Sequence, residues 1–462
     1  MVVTRFAPSP TGYLHIGGLR TALFSYLWAR RNQGKFLLRI EDTDQARNSQ
    51  EATDAIIEAF GWVGMEHDGE VVYQSRRTEL YKRYIAKLLD EGNAYYCYMT
   101  KEELDTLRQE QQAKGERPRY DGRYRNGTLP PRPDVEPVVR IKAPLEGTVV
   151  VDDGVKGTVT FNWTDATDDF IIARSDGSPT YNFVVAVDDA LMGVNHVIRG
   201  DDHLSNTPKQ LVVYKALGFE VPRFYHVPMI HNMQGKKLSK RDGAMDVMEY
   251  KHQGYLPEGL LNFLVRLGWS YGDQEIFSKE EMLSLFDPKD INKSASAYNP
   301  EKLLWLNSHY IKNAPNDRLI AELRGHDVHI HGHDRKEMLL DTLKEKSKTL
   351  AELAADIAEL LQAPATYQEK EMEKLFPEGS SVLEGFTQML ETRKGTLHLP
   401  TDYQEAIKGF LAENDLKMPQ LGKPLRLALL GKTQGPDLGD LLAILGNEEV
   451  RQRIGALLAR LP

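Results

Sequence analysis

Arg5-Phe6-Ala7-Pro8-Ser9-Pro10-Thr11-Gly12-Tyr13-Leu14-His15-Ile16-Gly17-Gly18 is the stretch whose reading decides the fold. Before it, the β-branched run Val2 to Thr4 predicts a short strand, and within it two prolines and a glycine break the chain. After it, Leu19, Ala22, Leu23, Tyr26 and Leu27 recur at helical spacing. The order is therefore strand, tight loop and helix N-terminus. A helix N-terminus carries unpaired N–H groups and partial positive charge, and so takes phosphate. Gly17 and Gly18 let a ligand approach the backbone, and His15 adds a side-chain donor there. A lone H-x-G would be a surface turn; the whole string points to a nucleotide site.

Lys236-Lys237-Leu238-Ser239-Lys240-Arg241-Asp242-Gly243 repeats the theme later in the chain. A basic run is ordinarily a solvated face. This one follows a hydrophobic, strand-like segment, Phe224 to Ile230, which places it at a strand's C-terminal end. Open α/β sheets bind ligands at that edge.

Together the two stretches resemble the signature motifs of class I aminoacyl-tRNA synthetases. Arg39-Ile40-Glu41-Asp42-Thr43-Asp44, Pro179-Thr180-Tyr181-Asn182 and Val187-Asp188-Asp189 narrow the resemblance to glutamyl-tRNA synthetases, as do Arg199-Gly200-Asp201-Asp202-His203 and Ser205-Asn206-Thr207-Pro208-Lys209-Gln210. The likeness is that of the bacterial, full-length type, tightest over residues 1 to 310. It implies a Rossmann-like α/β nucleotide-binding catalytic domain (1–80 and 185–241) with an α+β insertion (81–184) that holds the tRNA acceptor end. A helical connector (242–322) and an all-α anticodon-binding domain (323–462) follow.

By the same resemblance, His15, Lys237 and Lys240 serve catalysis. Thr11, His15, Gly17, Gly18, Lys237, Ser239 and Lys240 bind ATP, with Mg2+ sharing the charge. Arg5, Ser9, Glu41, Tyr181 and Arg199 bind L-glutamate. Arg117, Arg119, Arg123, Lys346 and Arg426 are candidate contacts to tRNA(Glu). Some members hold zinc in the insertion with cysteines and a histidine; this chain has only Cys97 there, with Met99, Tyr124 and Asn126 at the other positions. A structural zinc site wants four ligands, so no zinc is expected. A cytoplasmic monomer is the family default. The relative specific for glutamine, and a glutamyl enzyme that also charges tRNA(Gln), share the motifs. The former has a β-rich anticodon-binding part. From a different class, a small-molecule adenylyltransferase or an RNA-binding regulator with dead motifs would share these stretches; the intact Lys240, His15 and Glu41 argue against a dead site.

The bulk properties agree. A chain of 462 residues is too long for one core. With 41% hydrophobic and 27% charged residues it reads as an ordinary globular protein, with no run of membrane-spanning length. One cysteine excludes an internal disulfide and suits a reducing compartment. The net charge of −9 does not exclude a polyanionic partner, which local basic faces hold.

Further along, Phe36 to Ile40 predicts a strand after a helix stop at Gly34, and Thr100 to Glu103 is a capping box. Arg117, Arg119, Arg123 and Arg125 interleave with Tyr120 and Tyr124, a pattern suited to phosphate contact and base stacking. Val184 to Val187 and His196 to Ile198 read as buried parallel strands. Arg5, Arg199 and Tyr181 converging on one pocket would suit a substrate with a second carboxylate. Beyond residue 323, leucine and alanine at helical period (Leu339 to Leu361, Tyr403 to Glu413, Asp440 to Leu461) predict an all-helical end.

Overall fold

The computed structural model describes residues 1–43, 49–239, 242, 245–376 and 378–461. It divides into two compact units, 1–249 with 260–302, and 250–259 with 303–462.

The first unit begins with β1 (Val3–Phe6), α1 (Ile16–Arg31) and β2 (Lys35–Ile40), which pairs parallel to β1 with Thr4 opposite Phe36. α2 (Gln50–Val63) leads to β3 (Val72–Tyr73), parallel to β2. After α3 (Thr78–Asp90) come β4 (Ala94–Cys97), α4 (Lys101–Ala113) and β5 (Val138–Ile141). A hairpin of β6 (Thr148–Asp153) and β7 (Gly157–Asn162), the short α5 (Trp163–Ala166) and β8 (Ile171–Ala173) follow. The unit continues through α6 (Tyr181–Leu191), β9 (His196–Gly200), α7 (Thr207–Leu217), β10 (Arg223–Val227), β11 (Ile230–His231) and β12 (Ser296–Ala297).

Two sheets carry the site, in strand orders β1-β2-β3 and β7-β6-β10-β9, with β9 and β10 parallel. Asn195 joins them: its N–H donates to the Val3 carbonyl at 3.1 Å, and its Oδ1 accepts from the Val3 N–H at 2.8 Å. β9 therefore lies beside β1, with β2 and β3 beyond β1 on one side and β10, β6 and β7 beyond β9 on the other. A seam of this kind is a topological switch point, where open α/β sheets leave a crevice at their C-terminal ends. Apolar strand residues (Val3, Phe36, Leu38, Ile40, Val197, Ile198) are buried beneath it.

The second unit is helical throughout its described residues from 303 onward. Its leucine-rich core includes Leu339, Leu353, Leu383, Phe386, Leu425 and Leu441. The periodicity read as Leu339 to Leu361 is two helices, Lys336–Leu343 and Leu350–Leu361; Thr349 caps the second by accepting from the Glu352 N–H. Gly446, at φ 76°, kinks the last one.

Two expectations need correction. Val184 to Val187 is not a strand but the middle of α6. A short run buried on every side looks alike in either period, and length alone separates the two. Gly34 does not end α1 through a left-handed backbone; Gln33 adopts φ 52° instead. Gly34 is needed because a Cβ there would lie 2.0 Å from the Val2 carbonyl oxygen. The 81–184 stretch also contributes strands to the site: β6 and β7 lie within it and share a sheet with β10 and β9. A parallel pairing across distant sequence leaves no local trace.

The two glycines at either end of this region separate close approach from helix propensity. Gly34→Ala should cost about 1–3 kcal/mol by forced backbone movement. Gly61→Ala, in α2 with nothing within 4 Å of the added carbon, should be neutral or gain up to about 1 kcal/mol. Thermal unfolding of the two variants checks this; equal midpoints would refute the packing account.

Candidate active site

At the seam lies a cavity of about 340 Å³ lined by Arg5, His15, Gly17, Gly18, Arg20, Glu41, Tyr181, Arg199, His203 and Lys237, among others. β1 delivers Arg5, the end of β2 delivers Glu41, α6 starts at Tyr181, and β9 delivers Arg199. One wall is the start of α1. His15 is its N-cap in extended conformation, makes no side-chain cap, and no acidic residue stands in the first turn. The opening N–H groups of α1 thus keep their positive potential for a ligand. A Cβ on Gly17 would meet nothing within 4 Å, whereas one on Gly18 would meet Leu14 at 3.0 Å. Gly17 leaves the backbone open, while Gly18 packs closely under the Leu14 side chain.

The charges divide sharply. Arg5 is buried and gives Nε and Nη2 to the Asp189 carboxylate at 3.0 and 3.1 Å. Arg39, fully buried, shares Asp189 at 2.8 Å and lies 3.4 Å from Glu41. Asp189 is consequently held down to about 2: the two guanidinium groups outweigh its burial. Arg199 is different. It is 5% exposed, and its three donors go to His226 Nε2 (3.1 Å), Gln210 Oε1 (2.8 Å) and Thr207 Oγ1 (2.9 Å). Among the described residues no carboxylate pairs with it. Burial, reinforced by repulsion from Arg5, lowers it to about 10. A negative ligand group would relieve both effects. Burial raises Glu41, against the pull of Arg39 and Arg5. Burial also pushes the Tyr181 hydroxyl up to about 12, so it stays a donor.

The cavity therefore gathers Arg5, His15, Gly17, Gly18, Glu41, Tyr181, Arg199 and Lys237. Ser9 and Thr11 are exposed on the loop and outside its lining. Ser239 is also outside it, its hydroxyl donating to Asp242 at 2.6 Å. Lys240, Arg241, Gly243 and Asp44 lie outside the described residues. Asp42, from the same carboxylate cluster as Glu41, accepts from the Ser75 N–H and hydroxyl, as a structural anchor.

The candidate tRNA contacts are scattered. Arg117 and Arg123 are exposed, Arg123 forked onto Asp121. Arg119 donates to the Thr164 carbonyl, and Arg426 to that of Pro436. Lys346 lines a groove with Asp341, Glu345, Asp356 and Glu359. The stacking expectation for Tyr120 and Tyr124 is overturned: they are 2% and 8% exposed, packed with Cys97 and Met99, and Arg140 lies 3.8 Å over the Tyr120 ring. Aromatic–basic interleaving can build a small core as readily as a binding face.

Sequence reasoning missed Arg20 and His226. Arg20 lines the cavity, 2% exposed, donating to the carbonyls of Leu267 and Pro228. Its only signal was its place one turn after His15. His226 sits in a strand read as hydrophobic.

An arginine-lined slot beside an open helix N-terminus, at the switch point of a parallel sheet, defines an enzyme class that handles a nucleotide and an acidic substrate together. Family models agree: "tRNA synthetases class I (E and Q), catalytic domain" matches residues 1–305, and "Anticodon binding domain" matches 301–458. Glutamate–tRNA ligase 2 of a Nitratiruptor species is 66% identical over 459 residues, 99% of each chain. Glutamate–tRNA ligase 1 of Sulfurimonas denitrificans is 62% identical over 460 residues, also 99% of each. The crystal structure of a glutamate tRNA ligase from Elizabethkingia meningosepticum, in complex with its amino acid, superposes with a TM-score of 0.88 at 33% identity, over 100% of both chains. The chain belongs to the glutamate–tRNA ligase family of class I synthetases.

Asp189 generates a prediction. Its folded value, about 2, lies below the unfolded value. Its contribution is thus complete above an unfolded value of about 3.9 and is lost as pH falls through about 2, worth roughly 2–3 kcal/mol. Asp189→Asn should remove that part of the acid limb and cost ~3–5 kcal/mol at neutral pH, since two buried guanidinium groups lose their shared counter-ion. Urea unfolding across pH measures both; an acid limb identical to wild type would exclude the assignment.

Proposed function

We propose that the chain activates L-glutamate with ATP and transfers the glutamyl group to the 3'-terminal adenosine of tRNA(Glu). The observation that carries this reading is the buried Arg199, without a carboxylate partner among the described residues, in one cavity with His15, Lys237 and the start of α1. A dianionic amino acid and a triphosphate are complementary to those two ends.

In this reading Arg199 and the remaining Nη1 of Arg5 receive the side-chain carboxylate, Glu41 the ammonium group, and Tyr181 donates a hydrogen bond. The α-carboxylate of glutamate attacks the α-phosphorus of ATP and pyrophosphate leaves. A hydroxyl of the terminal ribose then attacks the adenylate carbonyl carbon and AMP leaves. No protein nucleophile is involved. The protein positions the reactants and neutralises charge developing on the phosphates, through His15, the α1 N–H groups and Lys237, with Lys240 on the same loop. Ser9, Thr11 and Ser239 are assigned by resemblance alone, as are Arg117, Arg119, Arg123, Lys346 and Arg426 for tRNA, and the division into catalytic (1–80, 185–241), inserted (81–184), connector (242–322) and anticodon (323–462) parts.

Among the described residues no three His, Cys, Asp or Glu side chains are grouped to hold a metal. Mg2+ enters with the nucleotide and supplies charge neutralisation on the phosphates. Cys97 Sγ is 3.5 Å from the Tyr120 hydroxyl, in a pocket of Met99 and Tyr124. That donor set is not one for zinc. No helix among the described residues is long and apolar enough to cross a membrane.

Glutamine would leave the Arg199 charge facing an amide. A hydrogen bond to a charged group is worth about 1.5–3 kcal/mol, so each one lost costs roughly ten- to a hundredfold. Arg199→Ala or Arg5→Ala should lower kcat/KM for glutamate roughly a hundredfold or more, with KM for ATP nearly unchanged. Lys240→Ala should lower kcat more than it raises KM. Pyrophosphate exchange and charging of purified tRNA(Glu) and tRNA(Gln) with labelled glutamate test the reading; wild-type exchange in both arginine variants would end it.

A further inference from the structure

Behind Arg199 stands a chain of groups that the reaction does not touch. Arg199 on β9 and His226 on β10 are register partners, and the arginine Nε–H donates to His226 Nε2 at 3.1 Å. A guanidinium only donates, so Nε2 is the acceptor and the imidazole proton is on Nδ1. That N–H donates to Asp153 Oδ2 at 2.6 Å. Asp153 in turn accepts from the backbone N–H groups of Val155 (2.9 Å), Lys156 (2.8 Å) and His226 (3.2 Å). Asp153 is 3% exposed and His226 is fully buried. The His226 ring stacks on Phe224 at 5.9 Å, and the Arg199 guanidinium lies over the same ring at 5.3 Å. Gly154 locks the turn after β6 against β10, since a Cβ there would meet the Tyr225 ring at 2.1 Å.

From this geometry we infer that Asp153 and His226 are positioning residues that orient Arg199 while withholding a counter-ion from it, and that they thereby set the preference for an acidic over an amide side chain. Arg5 and Arg199 are both buried arginines of one cavity, but Arg5 has Asp189 forked directly onto it. Among the described residues no carboxylate pairs with Arg199, and Asp153 stands one imidazole removed, its oxygens taken by N–H groups. A neutral ring gives Arg199 the fixed orientation a carboxylate would give and leaves its charge in place. Had a carboxylate stood at position 226, the guanidinium would be neutralised from behind, and an uncharged amide would suit the pocket as well as glutamate does. The inference rests on the reading that Arg199 receives the substrate's side-chain carboxylate.

The experiment uses the full chain, with glutamate- and glutamine-dependent pyrophosphate exchange and nucleotide titration. His226→Leu removes the acceptor, and His226→Gln restores one. His226→Leu should raise KM for glutamate at least tenfold with KM for ATP within twofold, and His226→Gln should recover most of that loss. The double variant D153N/H226E keeps the buried charge constant but moves it onto Arg199; the ratio of kcat/KM for glutamate over glutamine should fall at least a hundredfold. Equal effects of Leu and Gln, a parallel rise in KM for ATP, or an unchanged ratio in a folded double variant would each overturn the inference. If the double variant does not fold, the Leu and Gln pair alone decides. Arg199→Gln separates the two levels: glutamate KM unchanged in that variant means the substrate reading has failed, whereas a large rise there with none in the His226 variants means only this inference has.

Discussion

One buried guanidinium organises the site. Leaving Arg199 out of water without a carboxylate is unfavourable by several kcal/mol unless something else holds it. Its three hydrogen bonds to His226, Gln210 and Thr207 fix its orientation with three of its five N–H groups but do not compensate its charge. Its neighbours are compensated differently: Asp189 pairs with Arg5, and Arg39 is held by Asp189, Asp188 and Glu41 together, so the charge of Arg199 stands apart from theirs. A ligand carboxylate arriving there is met by a field that needs no reorganisation, which is how a site selects charge rather than shape.

Everything that aims this group comes from the sheet. Asn195 stitches the start of β1 to the start of β9, and the parallel strands carry Arg5 and Arg199 to the same edge. The sharp turn from β1 into α1 points a helix N-terminus at the same space, with Gly17 leaving the backbone bare. Arg199 and the open start of α1 thus face one cavity from separate elements. Arg20 ties α1 to the Pro228 carbonyl, close to the segment that leads to Lys237.

The parts of the site that were legible in advance belong to local strings. His15, Gly17 and Lys237 announce themselves by spacing, and the capping box at Thr100 forms as its sequence requires. What misled were short segments buried on all sides. Val184 to Val187 is helix because α6 is enclosed by other elements, which erases the polar face that would betray its period. Tyr120 and Tyr124 looked like a binding surface because aromatic and basic residues serve cores and interfaces alike. His226 was invisible for the same reason: a polar residue within an apolar strand carries no mark of what its ring will face.

By itself the amino-acid sequence determined the opening strand, loop, helix and strand of the catalytic half, the helical character of the C-terminal part, and the glycine-bearing loop that opens α1. Those features depend on neighbours a few residues apart, through periodicity, turn chemistry and caps. Which arginine would be neutralised and which would not was decided only by tertiary structure. Asp189 is 184 residues from Arg5, and Asp153 is 73 from His226, and only the sheet brings them together. Electrostatics acts through space at distances of a few ångströms, and sequence separation has no bearing on it.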